Sequence, residues 1–265
     1  MIKRVTKDDE IKIKEYIRKD VYQNVYLYMD FELYGLSNKN VDTYMLITDN
    51  CIKVILLKYY NSIQLFKVNE IDNEESEEIV NYVIKNKFDM ICGVTELIEK
   101  ISEKLKSIYR STDGYIFSNE SKINVDKMVS IEATENDFDD IVDLICSNDG
   151  IGGHYIPSVL KEQFIDRKNS MDCKNIVIKE DNKIVCHAAT YANSKILSVI
   201  GGVITRDGYT GKGYGKQIVN ELSLMIQLEG KTPILYCYDP KIMDWYMNMG
   251  WKKKNTSSKL ELISK

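Results

Sequence analysis

The sequence predicts an α/β chain (α+β, strands and helices interleaved) built as two related halves. Three observations carry this. Apolar runs of strand length alternate with stretches whose apolar residues recur every three or four positions. One glycine-rich stretch, Thr205 to Val219, joins such a run to such a helix. The order of helix-start signals and turns in the first half also returns in the second.

Met1 to Val5 is strand-like and leads into Thr6-Lys7-Asp8-Asp9, a hydroxyl followed three residues later by an acid, which marks a helix start. Met128 to Ala133 leads into Thr134-Glu135-Asn136-Asp137 in the same way, at an offset of 128 positions. The helix that follows places Phe138, Ile141, Val142 and Ile145 on one face. Asn24 to Gly35 is rich in aromatics, with Tyr26, Tyr28, Phe31 and Tyr34; it reads first as core packing and second as the lining of an acceptor pocket. Thr43 to Ser62 then aligns with Asn175 to Ser194 at a constant offset of 132. Asp49-Asn50 and Asp181-Asn182 are the hairpin turns of the two copies. Ile79-Val80-Asn81 returns as Ile218-Val219-Asn220 at an offset of 139. The boundary is expected between Asn119 and Lys127, giving domains 1–124 and 125–265.

Ile196, Leu197, Val199, Ile200, Val203 and Ile204 form an apolar strand ending near Thr205. Ile218, Val219, Leu222, Met225 and Ile226 recur at helical spacing, and Gly230 with Pro233 stops that helix. Gly208, Gly211, Gly213 and Gly215 therefore lie in a strand-to-helix turn. The first N–H groups of a helix lack internal partners and the dipole there is positive, so a phosphate suits the place. Two phosphate motifs fail. A Walker loop needs Ser or Thr after Gly215-Lys216 and Gly at 210, where Gln217 and Thr210 stand. A dinucleotide fingerprint starting at Gly211 or Gly213 would need glycine at Lys216 or Ile218.

A third pattern, [Q/R]-x-x-G-x-[G/A] between strand and helix, reads Thr210-Gly211-Lys212-Gly213-Tyr214-Gly215. This resembles the acyl-CoA pyrophosphate loop of the GCN5-related N-acetyltransferase (GNAT) superfamily. Thr210 departs from the pattern, which removes one side-chain contact and leaves the backbone cradle. A strand-like Ile234 to Tyr238 and then Asp239 to Trp251 resemble the later family motif, Tyr-x-x-x-Gly-aromatic, with Tyr246, Gly250 and Trp251 in place. The resemblance covers Ile196 to Trp251.

The resemblance implies tandem GNAT-like domains, each a mixed, mostly antiparallel sheet flanked by helices. It implies an N-acyltransferase that moves an acetyl group from acetyl-CoA directly to an amine of a small molecule or peptide. The strand before the loop should splay from the next, so that pantetheine pairs with the backbone at Val203, Ile204 and Thr205. A backbone N–H near Val203 would polarise the thioester carbonyl, with Gly202 permitting a bulge. Backbone from Thr210 through Gly211, Lys212, Gly213, Tyr214, Gly215 and Lys216 would hold the pyrophosphate. Tyr246 falls at the position of the general acid that protonates the leaving thiolate. The general base stays open among His154, His187, Asp239 and water; His187, inside an apolar strand, reads first as a satisfied core histidine. The other reading is a non-catalytic acyl-CoA sensor or structural pseudoenzyme, which the substituted Thr210 and the unread base favour.

Aligning the halves at Ile-Val-Asn sets Asp72-Asn73-Glu74-Glu75-Ser76-Glu77 against Gly211 to Lys216. Those acids would each repel a pyrophosphate by about a kcal/mol or more at close range. The first half is thus expected to be a degenerate copy that binds no CoA. Net charge is −4 and only five of the 36 basic residues are arginine, so no nucleic-acid partner is expected. Six cysteines form no C-x-x-C and read as reduced, buried thiols; with two histidines, no metal site is expected. A charged beginning and the lack of a long apolar run predict a cytoplasmic protein, without signal peptide or membrane span, as monomer or homodimer. The mildly acidic balance leans toward a cationic amine acceptor.

Overall fold

The computed structural model describes residues 1–34, 41–153 and 155–263. The chain forms two compact units that do not follow it in consecutive blocks. Unit 1 comprises Met1–Ile116, Cys237–Met243 and Lys253–Lys265; unit 2 comprises Phe117–Tyr236 and Asp244–Lys252.

In chain order the first elements are β1 (Ile2–Arg4), α1 (Glu10–Ile17), α2 (Val25–Tyr34), β2 (Val41–Thr48), β3 (Cys51–Tyr59), β4 (Ser62–Lys67), α3 (Asn73–Asn86), β5 (Met90–Gly93), α4 (Thr95–Leu105) and β6 (Tyr109–Ser118). Next come β7 (Ile131–Glu132), α5 (Phe138–Cys146), α6 (Asp149–Gly152), α7 (Pro157–Met171), β8 (Asn175–Glu180), β9 (Lys183–Asn193) and β10 (Leu197–Thr205). The chain finishes with α8 (Tyr214–Leu228), β11 (Thr232–Cys237), α9 (Pro240–Asn248) and β12 (Lys252–Leu262).

Unit 1 is a mixed sheet with β1, β2, β3 and β4 antiparallel, β5 parallel to β4, and β12 antiparallel to β5 from Ser258↔Gly93 to Glu261↔Met90. The C-terminal strand thus pairs with a strand of the first half. Alternation along the strands sends successive residues to opposite faces. Leu46, Val54, Leu56 and Ile63 meet Ile79, Val83 and Ile98 of α3 and α4. Met45, Ile55, Leu57 and Phe66 meet Ile13, Leu27 and Phe31 of α1 and α2. The aromatic stretch beginning at Asn24 is therefore core-forming, with Tyr26 and Tyr28 packed against that cluster; from residue 35 it lies outside the described residues.

Unit 2 orders its strands β11, β10, β9, β8, β7, with β10 and β11 parallel and the others antiparallel. α5 and α7 cover one face through Phe138, Ile141, Leu160 and Phe164 on Val177, Ile184 and Ile204. α8 packs on β8, β9 and β10. Each unit is thus a mixed, mostly antiparallel sheet with helices on both faces.

The repeat is written in the backbone. Thr6 with Asp9, and Thr134 with Asp137, close matching capping boxes. Asp49 and Asn50 have φ of 51° and 60°, and Asp181 and Asn182 have 49° and 63°. Asn and Asp tolerate this left-handed turn, whose twist suits a tight hairpin. Even the irregularities match, since the ladder slips between Leu46 and Ile47 and again between Ile178 and Lys179, each pair 132 positions apart.

Candidate active site

The site is built where β10 gives way to α8. Beyond Thr205 the Arg206 amide still bonds to Val185 O at 2.8 Å, and the Tyr209 amide turns back to Arg206 O at 3.0 Å. Gly208, Gly211 and Gly213 then take φ of 83°, 78° and 89°, which a side chain would strain. A Cβ added at any of the three would meet nothing within 4 Å. The turn is open on its outer side. Gly213 caps α8 without a side-chain bond, and the first intrahelical bond there runs from Gln217 N to Gly213 O at 3.0 Å. The amides of Tyr214, Gly215 and Lys216 have no intrahelical acceptor at that end of a helix. Thr210, Lys212 and Lys216 are exposed around this seat, with the Lys212 ammonium 4.5 Å above the Tyr209 ring. The Tyr214 hydroxyl donates to the Glu180 carboxylate, and that bond raises its pKa. Gly215 lies close to Thr205 Oγ1 and the Trp245 indole, 3.5 and 3.6 Å from an added Cβ.

The second feature is a split between strands. β10 pairs with β11 from Leu197↔Thr232 to Ile200↔Leu235, where the pairing ends. β10 runs on to Thr205, held on its other side by β9 as far as Thr205↔Cys186. From Gly201 onward the edge of β10 that faced β11 is out of the ladder, and Val203, Ile204 and Thr205 lie on it. Ile204 turns into the core while Val203 and Thr205 stay half-buried, the alternation expected of a strand. The expected bulge is present. The ladder shifts between Gly201 and Ile204, and Gly202 takes φ of 60°.

Tyr246 projects from α9 into the unit-2 interior at 6 % exposure. Trp245, Trp251 and Phe117 surround its ring at 4.9, 5.7 and 6.4 Å. The Tyr-x-x-x-Gly-aromatic spacing has a backbone cause. Gly250, at φ 88°, ends α9 so that the Trp251 amide reaches Tyr246 O at 3.2 Å and folds the indole onto the phenol.

His187 is fully buried. Its Nδ1 lies 2.8 Å from Gly202 O and its Nε2 3.1 Å from Asn175 Oδ1. Burial lowers its pKa to about 4, so the ring is neutral, and being sealed from solvent it is no proton acceptor for a substrate. Asp239 is exposed, and its carboxylate accepts the Lys241 amide at 2.8 Å, capping the start of α9. His154 lies outside the described residues.

Sequence reading missed Glu221. It is wholly buried in α8, where it accepts Val129 and Ser130 amides at 2.8 Å each, the Ser130 hydroxyl and Gln217 Nε2. Burial works to raise its pKa, but the bonds from Ser130, Gln217 and the two amides prevail and lower it. A helix pattern marks such a residue only as off the apolar stripe, and its partners Val129 and Ser130 are some ninety positions away. The matching seat in unit 1 is closed by its own side chains. Asp72 accepts the Glu75 amide at 2.8 Å, Glu75 accepts the Asp72 amide at 2.9 Å, and Lys53 approaches Glu75 at 3.3 Å. All six cysteines are free; Cys173, Cys186 and Cys237 are buried, whereas Cys51, expected inside, is exposed at the start of β3. Among the described residues no cluster of three metal-ligating side chains occurs, and no helix is long and apolar enough to cross a membrane.

The fold is that of the GNAT acetyltransferases. A GCN5-related N-acetyltransferase from Sphaerobacter thermophilus superimposes at TM-score 0.64 with 11% identity, over 100% of this chain and 96% of that one. A GCN5-related N-acetyltransferase-like protein from Streptococcus suis does so at 0.58 with 18% identity, over 95% and 100%. A tandem GNAT protein from the clavulanic acid biosynthesis pathway matches at 0.58 with 5% identity, over 98% and 97%. No protein-family model and no curated protein matches the sequence.

Proposed function

We propose that the protein is an acyl-CoA-dependent N-acyltransferase, that its donor is acetyl-CoA, and that its acceptor is an amine of a small molecule or peptide. The observation that carries the reading is the adjacency in unit 2 of two features: an open glycine seat at the start of α8 and a β10 edge released from β11 from Gly201 onward. A pyrophosphate needs the first; an amide-bearing pantetheine arm needs the second.

The fit is chemical. The seat offers helix-end amides with no Cβ in the way, which suits a doubly charged anion. Backbone of Thr210, Gly211, Lys212, Gly213, Tyr214, Gly215 and Lys216 would hold it, and the released edge at Val203, Ile204 and Thr205 would supply strand-like hydrogen bonds. The bound thioester supplies an acyl group already activated toward an amine. The bulge at Gly202 would turn the neighbouring amide, at Val203, out of the ladder, where it could donate to a developing oxyanion. Tyr246 would return a proton to the departing thiolate. With His187 sealed and Asp239 engaged at a helix start, His154 and water are the bases that remain for the incoming amine.

Calorimetry with acetyl-CoA tests the seat. The wild type should bind, and Gly213→Glu, which sets a carboxylate and a Cβ into it, should abolish binding. Retained affinity in a folded Gly213→Glu protein would remove the loop assignment. Thiol release across a panel of amines then separates a transferase from a sensor, since a sensor binds and turns nothing over.

A further inference from the structure

The two halves can be compared residue by residue through their ladders. In unit 1, β3 and β4 pair without a slip, with Leu57↔Gln64 and Ile55↔Phe66. In unit 2 the corresponding pairs are Ala189↔Gly201 and His187↔Ile204. Between them unit 1 has one residue, Leu65, and unit 2 has two, Gly202 and Val203. At this point β10 thus carries one residue more than β4; a second slip, between Val199 and Ile200, lies nearer the hairpin end and leaves Tyr191 as the extra residue of β9.

An inserted residue leaves a carbonyl that the ladder cannot satisfy, and burying it unpaired costs about as much as a lost hydrogen bond. Unit 2 meets this carbonyl, Gly202 O, with His187 Nδ1 at 2.8 Å. At the same ladder position unit 1, having no orphan carbonyl, carries Ile55, which has no donor. The rest of the shell fits the bulge. Tyr191 closes over the two glycines, so that a Cβ at Gly201 or Gly202 would come within 2.6 or 2.7 Å of it. Phe164 packs against both the imidazole and Tyr191, at 5.9 and 6.2 Å. A neutral ring with its proton on Nδ1 accepts at Nε2, so Asn175 is read with its carboxamide NH2 toward the ring.

We infer that His187 is a positioning residue for acyl transfer: its Nδ1–H holds the Gly202 carbonyl and thereby fixes the bulge that aims the Val203 amide at the thioester carbonyl. It never touches substrate. The inference rests on the transferase reading for its catalytic consequence, whereas the lock itself is a property of the fold.

The test is a set of variants with three readouts. His187→Ile installs the unit-1 residue and should lower turnover at saturating substrate at least about tenfold, leaving the acetyl-CoA Kd within about twofold. It should also lower the melting temperature, because the Gly202 carbonyl is orphaned. Deleting Gly202 in that background removes the insertion along with its carbonyl, and should recover the melting temperature while turnover stays low. His187→Asn, whose amide N–H can stand in for Nδ1–H, should regain part of the turnover. Nitrogen-15 NMR of the wild type should show a neutral imidazole protonated at Nδ1 at pH 7. Unchanged turnover in a folded His187→Ile protein, or a double variant less stable than the single, overturns the inference. If no amine is acylated by the wild type, the transferase reading fails by itself, and the NMR and melting results still decide the lock.

Discussion

A buried neutral histidine makes stability depend on pH in a definite direction. His187 titrates near 4 in the fold and at about 6.5 in an unfolded chain. As pH falls, the unfolded chain takes up the proton first, so this contribution is whole above about pH 6.5 and lost progressively toward pH 4. Between pH 7 and pH 5 the wild type should lose about 2 kcal/mol that a His187→Asn variant keeps, since one pKa unit is about 1.4 kcal/mol. Urea melts at the two pH values measure it, and parallel losses in both proteins would contradict it. Tyr246 belongs to the same scale. Its ring is held by three aromatic neighbours, so Tyr246→Phe keeps the ring packing and removes the phenolic hydroxyl. Turnover should drop by about 100-fold or more with acetyl-CoA affinity almost unchanged. Equal turnover at every pH would take Tyr246 out of the chemistry. The Tyr-x-x-x-Gly-aromatic spacing was legible because a local turn causes it; the partners of His187 and Glu221 were not, because they come from other strands and segments.

At the scale of elements, the β10–α8 junction combines a helix end with a strand edge. Both Gly213→Ala and Gly213→Glu place a side chain at φ 89° and should cost about 1–2 kcal/mol in stability. Only the glutamate brings a charge, so acetyl-CoA affinity should fall far more for Glu than for Ala. A similar fall for both would mean that backbone geometry, rather than the electrostatics of the seat, governs binding. The glycine turn could be read from sequence because its φ demands glycine. The parting of β10 from β11 could not. Val203 to Thr205 read as strand whether or not a neighbour pairs with them, and only the register shows the ladder stopping at Ile200↔Leu235.

At the scale of the molecule, one fold is present twice and one copy keeps an open seat. The α3 start in unit 1 is filled by Asp72 and Glu75, each bonded to the other's amide, whereas before α8 in unit 2 a Cβ added at Gly208, Gly211 or Gly213 would meet nothing within 4 Å. Titration should therefore saturate at one acetyl-CoA per chain. At a hundred times Kd the ligand should stabilise its unit by about 2.7 kcal/mol. A stoichiometry of two would show that the capping box in unit 1 opens to admit an anion.

By itself the sequence determined what depends on neighbours a few positions apart. These are the capping boxes at Thr6 and Thr134, the left-handed hairpin turns at Asp49-Asn50 and Asp181-Asn182, the glycine seat, and through them the duplication. Only the tertiary structure decided the rest. β12, from late in the chain, enters the sheet of unit 1 beside β5. His187 serves as the clamp of an inserted residue. Both depend on strands meeting across long stretches of chain, and an apolar strand pattern specifies which face is buried far more strongly than which partner lies alongside.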